Sequence, residues 1–216
     1  MSAKLGSFLF PHILKKGHTP KGQYYEVSFE NGRKVLNTQN ANYSFGSLHD
    51  VMQKGIKHLL KTNFNFEKIL MLGLGAGSAV QILNKNIQHQ FTIDCIEYDQ
   101  GIIDIAKQEF DIEDHKNLNI ICGDAQNIST ISYGQKYDLI IDDIFVDDNI
   151  PSFCFQANYI QNCAQCLNEK GTYLRNMMFE SIEKLSQFEI ELSKHFGTIE
   201  ILKVKKHGNL IFICTV

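Results

Sequence analysis

The sequence predicts an α/β fold: a mostly parallel sheet flanked by helices, ended by a C-terminal antiparallel hairpin and preceded by a small N-terminal β-hairpin. Three observations predict it. Apolar strand-like runs at 68–72, 91–96, 118–122, 137–142 and 171–176 alternate with helical stretches near 78–86, 100–109, 152–167 and 180–195. Such alternation implies parallel strands joined by crossover helices. The last two runs, 198–204 and 209–215, are joined by Lys205-Lys-His-Gly208 alone. That leaves no room for a crossover helix, so they pair antiparallel. Near the N-terminus, residues 23–29 alternate apolar and polar, Asn31-Gly32 supplies a tight turn, and 33–37 returns.

Along the chain, residues 1–22 carry Gly6, Pro11, Gly17 and Pro20 among scattered lysines and read as a loosely structured leading segment. After the hairpin, 40–46 is a turn-rich loop. Ser47 is placed to cap a helix whose apolar stripe runs Leu48, Val51, Met52, Ile56, Leu59 and Leu60. Two units follow: an N-terminal segment and hairpin over 1–46, and the alternating α/β domain over 47–216.

Composition limits the function classes. With 216 residues, 44% apolar and 21% charged, the chain is ordinary for a water-soluble domain. It shows no signal-peptide layout and no run long enough to span a bilayer, and its six cysteines are scattered. A cytoplasmic protein with reduced thiols and no membrane partner is expected. Residues 1–61 hold nine Lys/Arg against three acids, the remainder twelve against twenty-one. Only Arg33 and Arg175 are arginines. Because Arg dominates base and phosphate recognition, no nucleic-acid partner is expected.

The candidate chemistry gathers at strand ends. The run 69–72 breaks into Gly73, Gly75 and Gly77 before a helix. Glycines let backbone N–H groups approach a ligand, and a helix N-terminus adds partial positive charge. Glu97 closes the next strand, twenty positions past Gly77, where a carboxylate accepts ribose hydroxyls. Tyr98 is placed to cover one adenine face. Asp124, after Gly123, suits an adenine amino group or a helix cap, and Ala125 is small enough to admit the ring. The fourth strand ends at Asp142-Asp143, and Asp143 is the best single candidate for chemistry, as a base or as a ligand of the bound nucleoside. Asp147-Asp148 adds charge at this mouth. His49 is expected to be an ordinary polar helix residue. Cys163 and Cys166 have metal or redox spacing but sit mid-helix without a second pair, so no metal site is expected.

These residues carry a family resemblance. Leu72-Gly-Leu-Gly-Ala-Gly77, Ile96-Glu-Tyr-Asp99, Gly123-Asp-Ala125 and Tyr137-Asp-Leu-Ile-Ile-Asp-Asp143 resemble successive motifs of class I S-adenosylmethionine-dependent methyltransferases. They are most similar to the spermidine-synthase-like branch. Met71 stands where many methyltransferases have an acid, a hairpin precedes the domain, residues 42–49 resemble the segment that crosses the bound nucleoside, and Asp143-Ile-Phe145 with Ile150-Pro151 resembles that branch. Over residues 23–216 the resemblance implies a Rossmann-like class I methyltransferase fold. It also implies S-adenosylmethionine or its decarboxylated form as cofactor, held by Gly73, Gly75, Gly77, Glu97, Tyr98, Asp124, Ala125 and Asp143. Compared with aminopropyltransferases, Ala76 stands near an Asp of the glycine turn, Val146 and Asp147 follow where the second Asp of Asp-x-x-Asp-Pro falls, and Phe45-Gly46 replaces acids. A dication needs several carboxylates, since an exposed ion pair contributes only about 0–1 kcal/mol. The expectation is therefore methyl transfer to a small-molecule nucleophile, with Asp143 catalytic. Aminopropyl transfer is the alternative, and a non-catalytic nucleoside-binding module a further one. The hairpin edge invites pairing in a homodimer.

Overall fold

The computed structural model describes residues 3–44, 47–61, 65–179, 181–204 and 208–216. The leading segment is more ordered than its composition predicts. A helical turn, α1 (Ala3–Gly6), leads into β1 (His12–His18), which pairs with β2 (Tyr24–Glu30). β1 is almost wholly exposed, so it has no apolar alternation to announce it; backbone pairing alone makes it a strand. β2 turns at Asn31-Gly32, both at positive φ, into β3 (Arg33–Asn37). β4 (Asn42–Ser44) then pairs with β3, so the N-terminal unit is a four-stranded antiparallel sheet in the order β1-β2-β3-β4. Both edges of the expected hairpin are therefore covered. Part of the expected 40–46 loop is strand, and Phe45-Gly46 lie outside the described residues.

α2 (Ser47–Leu60) connects to the main sheet: β5 (Lys68–Leu72), α3 (Ser78–Asn86), β6 (Thr92–Glu97), α4 (Gln100–Glu109), β7 (Leu118–Cys122), α5 (Ile128–Ile131), β8 (Tyr137–Asp142), α6 (Ala157–Gln165), β9 (Leu167–Met177), α7 (Ile182–Ser193), β10 (Thr198–Val204) and β11 (Asn209–Thr215). The helix expected over 152–167 is a 3₁₀ turn at 152–155 followed by α6, and β9 begins four residues earlier than its apolar run. The start of β9, Leu167-Asn-Glu-Lys170, is too polar to read as strand.

The order is β10-β11-β9-β8-β5-β6-β7, with β11 antiparallel to both neighbours, β10 and β9, and the run β9-β8-β5-β6-β7 paired parallel. Ile69 to Leu72 are each at most 1% exposed, as a central strand covered on both faces must be. Each such side chain contributes roughly 1.5–3 kcal/mol on burial. One face is covered by α2, α3 and α4, through Val51, Ile56, Val80, Leu83 and Ile103. The other is covered by α5, α6 and α7, through Ile128, Ile160, Cys163, Phe188 and Leu192. A third apolar cluster joins Val27 and Leu36 of the N-terminal sheet to Ala76, Ile102, Ile105 and Phe110.

Candidate active site

Strands added after β5 first run to one side (β6, β7) and then return to the other (β8, β9), so the chain reverses between β5 and β8. Ligands in open α/β sheets lie outside the carboxyl ends at such a point. A cavity of about 480 Å³ opens there, beneath the N-terminal sheet. Its size is that of a small-ligand pocket.

The β5 end is shaped by its glycines. Gly73 has φ +89°, and a Cβ would stand 2.7 Å from the Asp143 carbonyl oxygen, so only glycine lets the β5 and β8 ends close together. Gly73 and Gly75 line the cavity. Gly77 does not: it precedes α3 at φ +80°, and a Cβ would meet the Ile112 side chain at 2.2 Å. Its demand for glycine is packing, not ligand approach. Ala76 is likewise fully buried against the N-terminal sheet and α4, away from the cavity. A carboxylate missing at Ala76 is therefore no guide to what the cavity holds.

Glu97, 6% exposed, clamps this turn: Oε2 accepts from Leu74 N (2.9 Å) and Oε1 from Asp99 N (3.0 Å). Burial pushes its carboxyl up, against these hydrogen bonds, and each oxygen keeps acceptor capacity toward the cavity it lines. Asp124 lines the cavity and caps the turn at 125–127 through Gln126 N (2.9 Å), so both readings of it hold geometrically; Ala125 lies beside it. Tyr98 is at the rim, 52% exposed, with Lys21 Nζ 3.7 Å from its ring centroid. Asp99 caps α4 and accepts from Thr19 Oγ1 (2.5 Å), tying the N-terminal sheet to the cavity wall. Gln23 also lines the cavity, its Nε2 buried without a protein partner. Sequence reasoning missed it because a Gln opening a hairpin strand carries no signal by itself.

The β8 end separates its two acids. Asp142 is fully buried and turned away from the cavity: Oδ2 accepts from Tyr159 (2.8 Å) and Tyr173 (2.7 Å) and pairs with Arg175, itself fully buried. Asp143 faces the cavity, and Asn176 Nδ2 donates to its Oδ1 (2.9 Å). Burial, reinforced by Asp142 and opposed by Asn176 and Arg175, pushes its carboxyl up to about 6. Asp147, at φ +57°, accepts from Thr38 Oγ1 (2.5 Å), Asn40 N (2.9 Å) and Asn40 Nδ2 (2.5 Å). It clasps the loop after β8 to the turn after β3. Although burial opposes its charge, these bonds hold its carboxyl below the usual range. Asp148 remains at the mouth. His49 Nδ1 bonds Ser78 Oγ (2.7 Å), a cavity residue, and burial lowers its pKa, so it reaches the site indirectly. Cys163 and Cys166 are buried in the apolar core.

The lining thus gathers six carboxylates, Glu97, Asp99, Asp124, Asp143, Asp147 and Asp148, and among the described residues it includes no Lys or Arg. The departures from the aminopropyltransferase pattern had predicted too few acids for a dication. The fold supplies them from separate strand ends.

Comparison with known proteins bears on the reaction. A family model described as Spermine/spermidine synthase domain matches residues 49–202. A polyamine aminopropyltransferase of Vibrio vulnificus is 28% identical over 151 residues, covering 68% of this chain and 50% of that protein. Further curated relatives bear the same description, and the chain spans about half or less of their length. Among solved structures, a probable spermidine synthase from Corynebacterium glutamicum aligns at TM-score 0.79 and 16% identity, covering 94% of this chain and 80% of that one. Human methyltransferase-like protein 13, in complex with SAH, aligns at TM-score 0.68 and 19% identity, covering 80% and 83%. Those likenesses establish the Rossmann-like class I methyltransferase fold. The expectation of methyl transfer is overturned by the sequence relatives, which are aminopropyltransferases. One of its supports, the acid missing at Ala76, fails because Ala76 lies outside the cavity. The chain belongs to the spermine/spermidine synthase domain family.

Proposed function

We propose that this chain transfers an aminopropyl group from decarboxylated S-adenosylmethionine to a small polyamine-type acceptor. The observation that carries the proposal is the six-carboxylate lining with no Lys or Arg among the described residues. Each species in that reaction is a cation: the sulfonium donor, its terminal ammonium and the acceptor. A donor retaining its α-carboxylate would bring an anion against six carboxylates in a lining that, among the described residues, includes no Lys or Arg.

The residues present fit such a nucleoside. Glu97 offers its remaining lone pairs to ribose hydroxyls, Gln23 an unpartnered amide, Asp124 an acceptor for the adenine amino group, and Gly73 and Gly75 close backbone approach. When bound, the donor supplies an activated carbon next to a sulfonium leaving group. Asp143 takes a proton from the acceptor ammonium, and its neighbours Asp147 and Asp148 concentrate the dication at the mouth. The free thiols of all six cysteines fit a reducing, cytoplasmic setting.

The test supplies decarboxylated S-adenosylmethionine with diamine and triamine acceptors and follows methylthioadenosine release and polyamine product by mass spectrometry. Turnover is the expected result. Tight nucleoside binding with no product across all acceptors overturns the proposal. Glu97→Ala is expected to weaken methylthioadenosine binding by about 10- to 100-fold in titration calorimetry, from the loss of roughly 1.5–3 kcal/mol of charged hydrogen bonding. Unchanged affinity would remove Glu97 from the ribose site.

A further inference from the structure

Asp143 is held from behind by two amides. Asn176, on β9, donates through Nδ2 to Asp143 Oδ1 (2.9 Å), and Asn209, opening β11, donates through Nδ2 to Asn176 Oδ1 (2.9 Å). Asn176 is 1% and Asn209 7% exposed, and Asn209 lines the cavity. The antiparallel register sets Ile211 opposite Asn176, which brings Asn209 diagonally across from it. A carboxamide has one donor end and one acceptor end. With its oxygen occupied by Asn209, Asn176 must turn its NH₂ toward Asp143. An oxygen already accepting that N–H has one lone pair fewer to offer a proton than the other oxygen.

We propose that Asn176 and Asn209 are positioning residues for the transfer: their relay fixes the Asp143 carboxylate and directs the proton taken from the acceptor onto the other oxygen, Oδ2. The inference rests on the aminopropyl-transfer reading. In the step, the proton passes from the acceptor ammonium to Oδ2. The freed nitrogen lone pair forms the N–C bond to the aminopropyl carbon, the C–S bonding pair stays with sulfur, and Asp143 returns its proton to water. The charged groups around Asp143 are Asp142 beside it and Arg175 behind it. Across the cavity stand Glu97, Asp99, Asp124, Asp147 and Asp148, and His49 reaches the wall through Ser78. Asn176 is bonded to Oδ1, and its donated bond opposes the upward push of burial.

The experiment compares Asn176→Ala, Asn176→Asp and Asn209→Ala with the natural chain. Its two readouts are kcat/KM from pH 5 to 9 and ¹³C NMR titration of the Asp143 carboxyl, assigned by its absence in Asp143→Asn. Asn176→Ala is expected to raise the acid-limb midpoint by about one pH unit, with the rate about fivefold lower at pH 6 and nearly restored at pH 9. Asn176→Asp, which sets a second carboxylate against Oδ1, is expected to raise it further, and Asn209→Ala less, because Asn176 then regains freedom to turn. Equal loss at every pH with unmoved midpoints means a merely structural role and overturns the proposal. If the natural chain transfers no aminopropyl group, the function fails but the NMR midpoints still decide the relay. Should Asn176→Ala not fold, Asn209→Ala at the cavity edge carries the same test.

Discussion

Asp143→Asn is expected to lower kcat by about two to four orders of magnitude while leaving methylthioadenosine affinity within a few-fold. General-base contributions are of that size, and the amide would keep the shape of the carboxylate but accept no proton. On the proposed function the natural chain should lose activity on an acid limb near pH 6, because a carboxylate base works only when ionised and the Asp143 carboxyl is pushed up from 3.8 to about 6. The same shift has a stability sign. A carboxyl whose folded pKa lies above its unfolded value favours folding only while protonated, so stability falls as pH rises from about 4 to about 6 and the deficit persists above. Two units correspond to up to about 3 kcal/mol, less for the water that reaches its cavity side. Asp143→Asn should therefore raise the melting temperature at pH 8 as it abolishes turnover. Thermal denaturation together with single-turnover kinetics checks both, and an inactive variant that melts earlier would show that Asp143 supports the fold instead.

Arg175→Met is expected to cost about 3–5 kcal/mol, the usual consequence of leaving one charge of a buried pair uncompensated. Arg175 and Asp142 are both fully buried, and Asp142 Oδ2 would keep only the Tyr159 and Tyr173 hydroxyls. For a chain of 216 residues that is a fall in melting temperature of roughly 6–20 °C. The double variant Asp142→Asn/Arg175→Met should recover much of the loss, since no bare charge remains. A single-variant loss below about 1 kcal/mol in denaturant titration would mean the pair is not a buried ion pair in solution. Arg175 also draws Asp143 downward, so its removal should move the acid limb of the pH profile up.

The parts of this protein that were legible in sequence are those that short-range periodicity encodes. The strand at 68–72, the glycine turn, Glu97 at the end of β6 and the C-terminal hairpin all follow from spacing along the chain. What was hidden depends on contacts between distant segments. β1 has no apolar face and exists only through its pairing with β2. Asn209 joins Asp143 only because β11 runs antiparallel beside β9. Asp147 read only as charge at the mouth, yet it also accepts from Thr38 and Asn40, more than a hundred residues away. Gly77 looked like a ligand contact because a motif counts glycines and does not record what each packs against. The inference from missing motif acids to a different reaction failed for the same reason: spacing cannot count carboxylates that converge from three strand ends.

The two clasps, Thr19 on Asp99 and Thr38 with Asn40 on Asp147, close over sequence separations of 80 and 109 residues. Beside them only one small apolar cluster, Val27 and Leu36 against Ala76, Ile102, Ile105 and Phe110, joins the roof to the domain among the described residues, whereas the seven-stranded sheet is covered on both faces by larger clusters. The roof of the cavity should therefore open at a lower free energy than its floor, as weakly packed units do. Nucleoside binding that engages both would be visible without any chemistry. In hydrogen–deuterium exchange, peptides covering 19–24 and 38–41 should slow markedly when methylthioadenosine is added, while those of β5 and β8 stay protected throughout. Equal protection of roof and floor in the free protein would mean that the clasps are as firm as the core and that ligand entry takes another path.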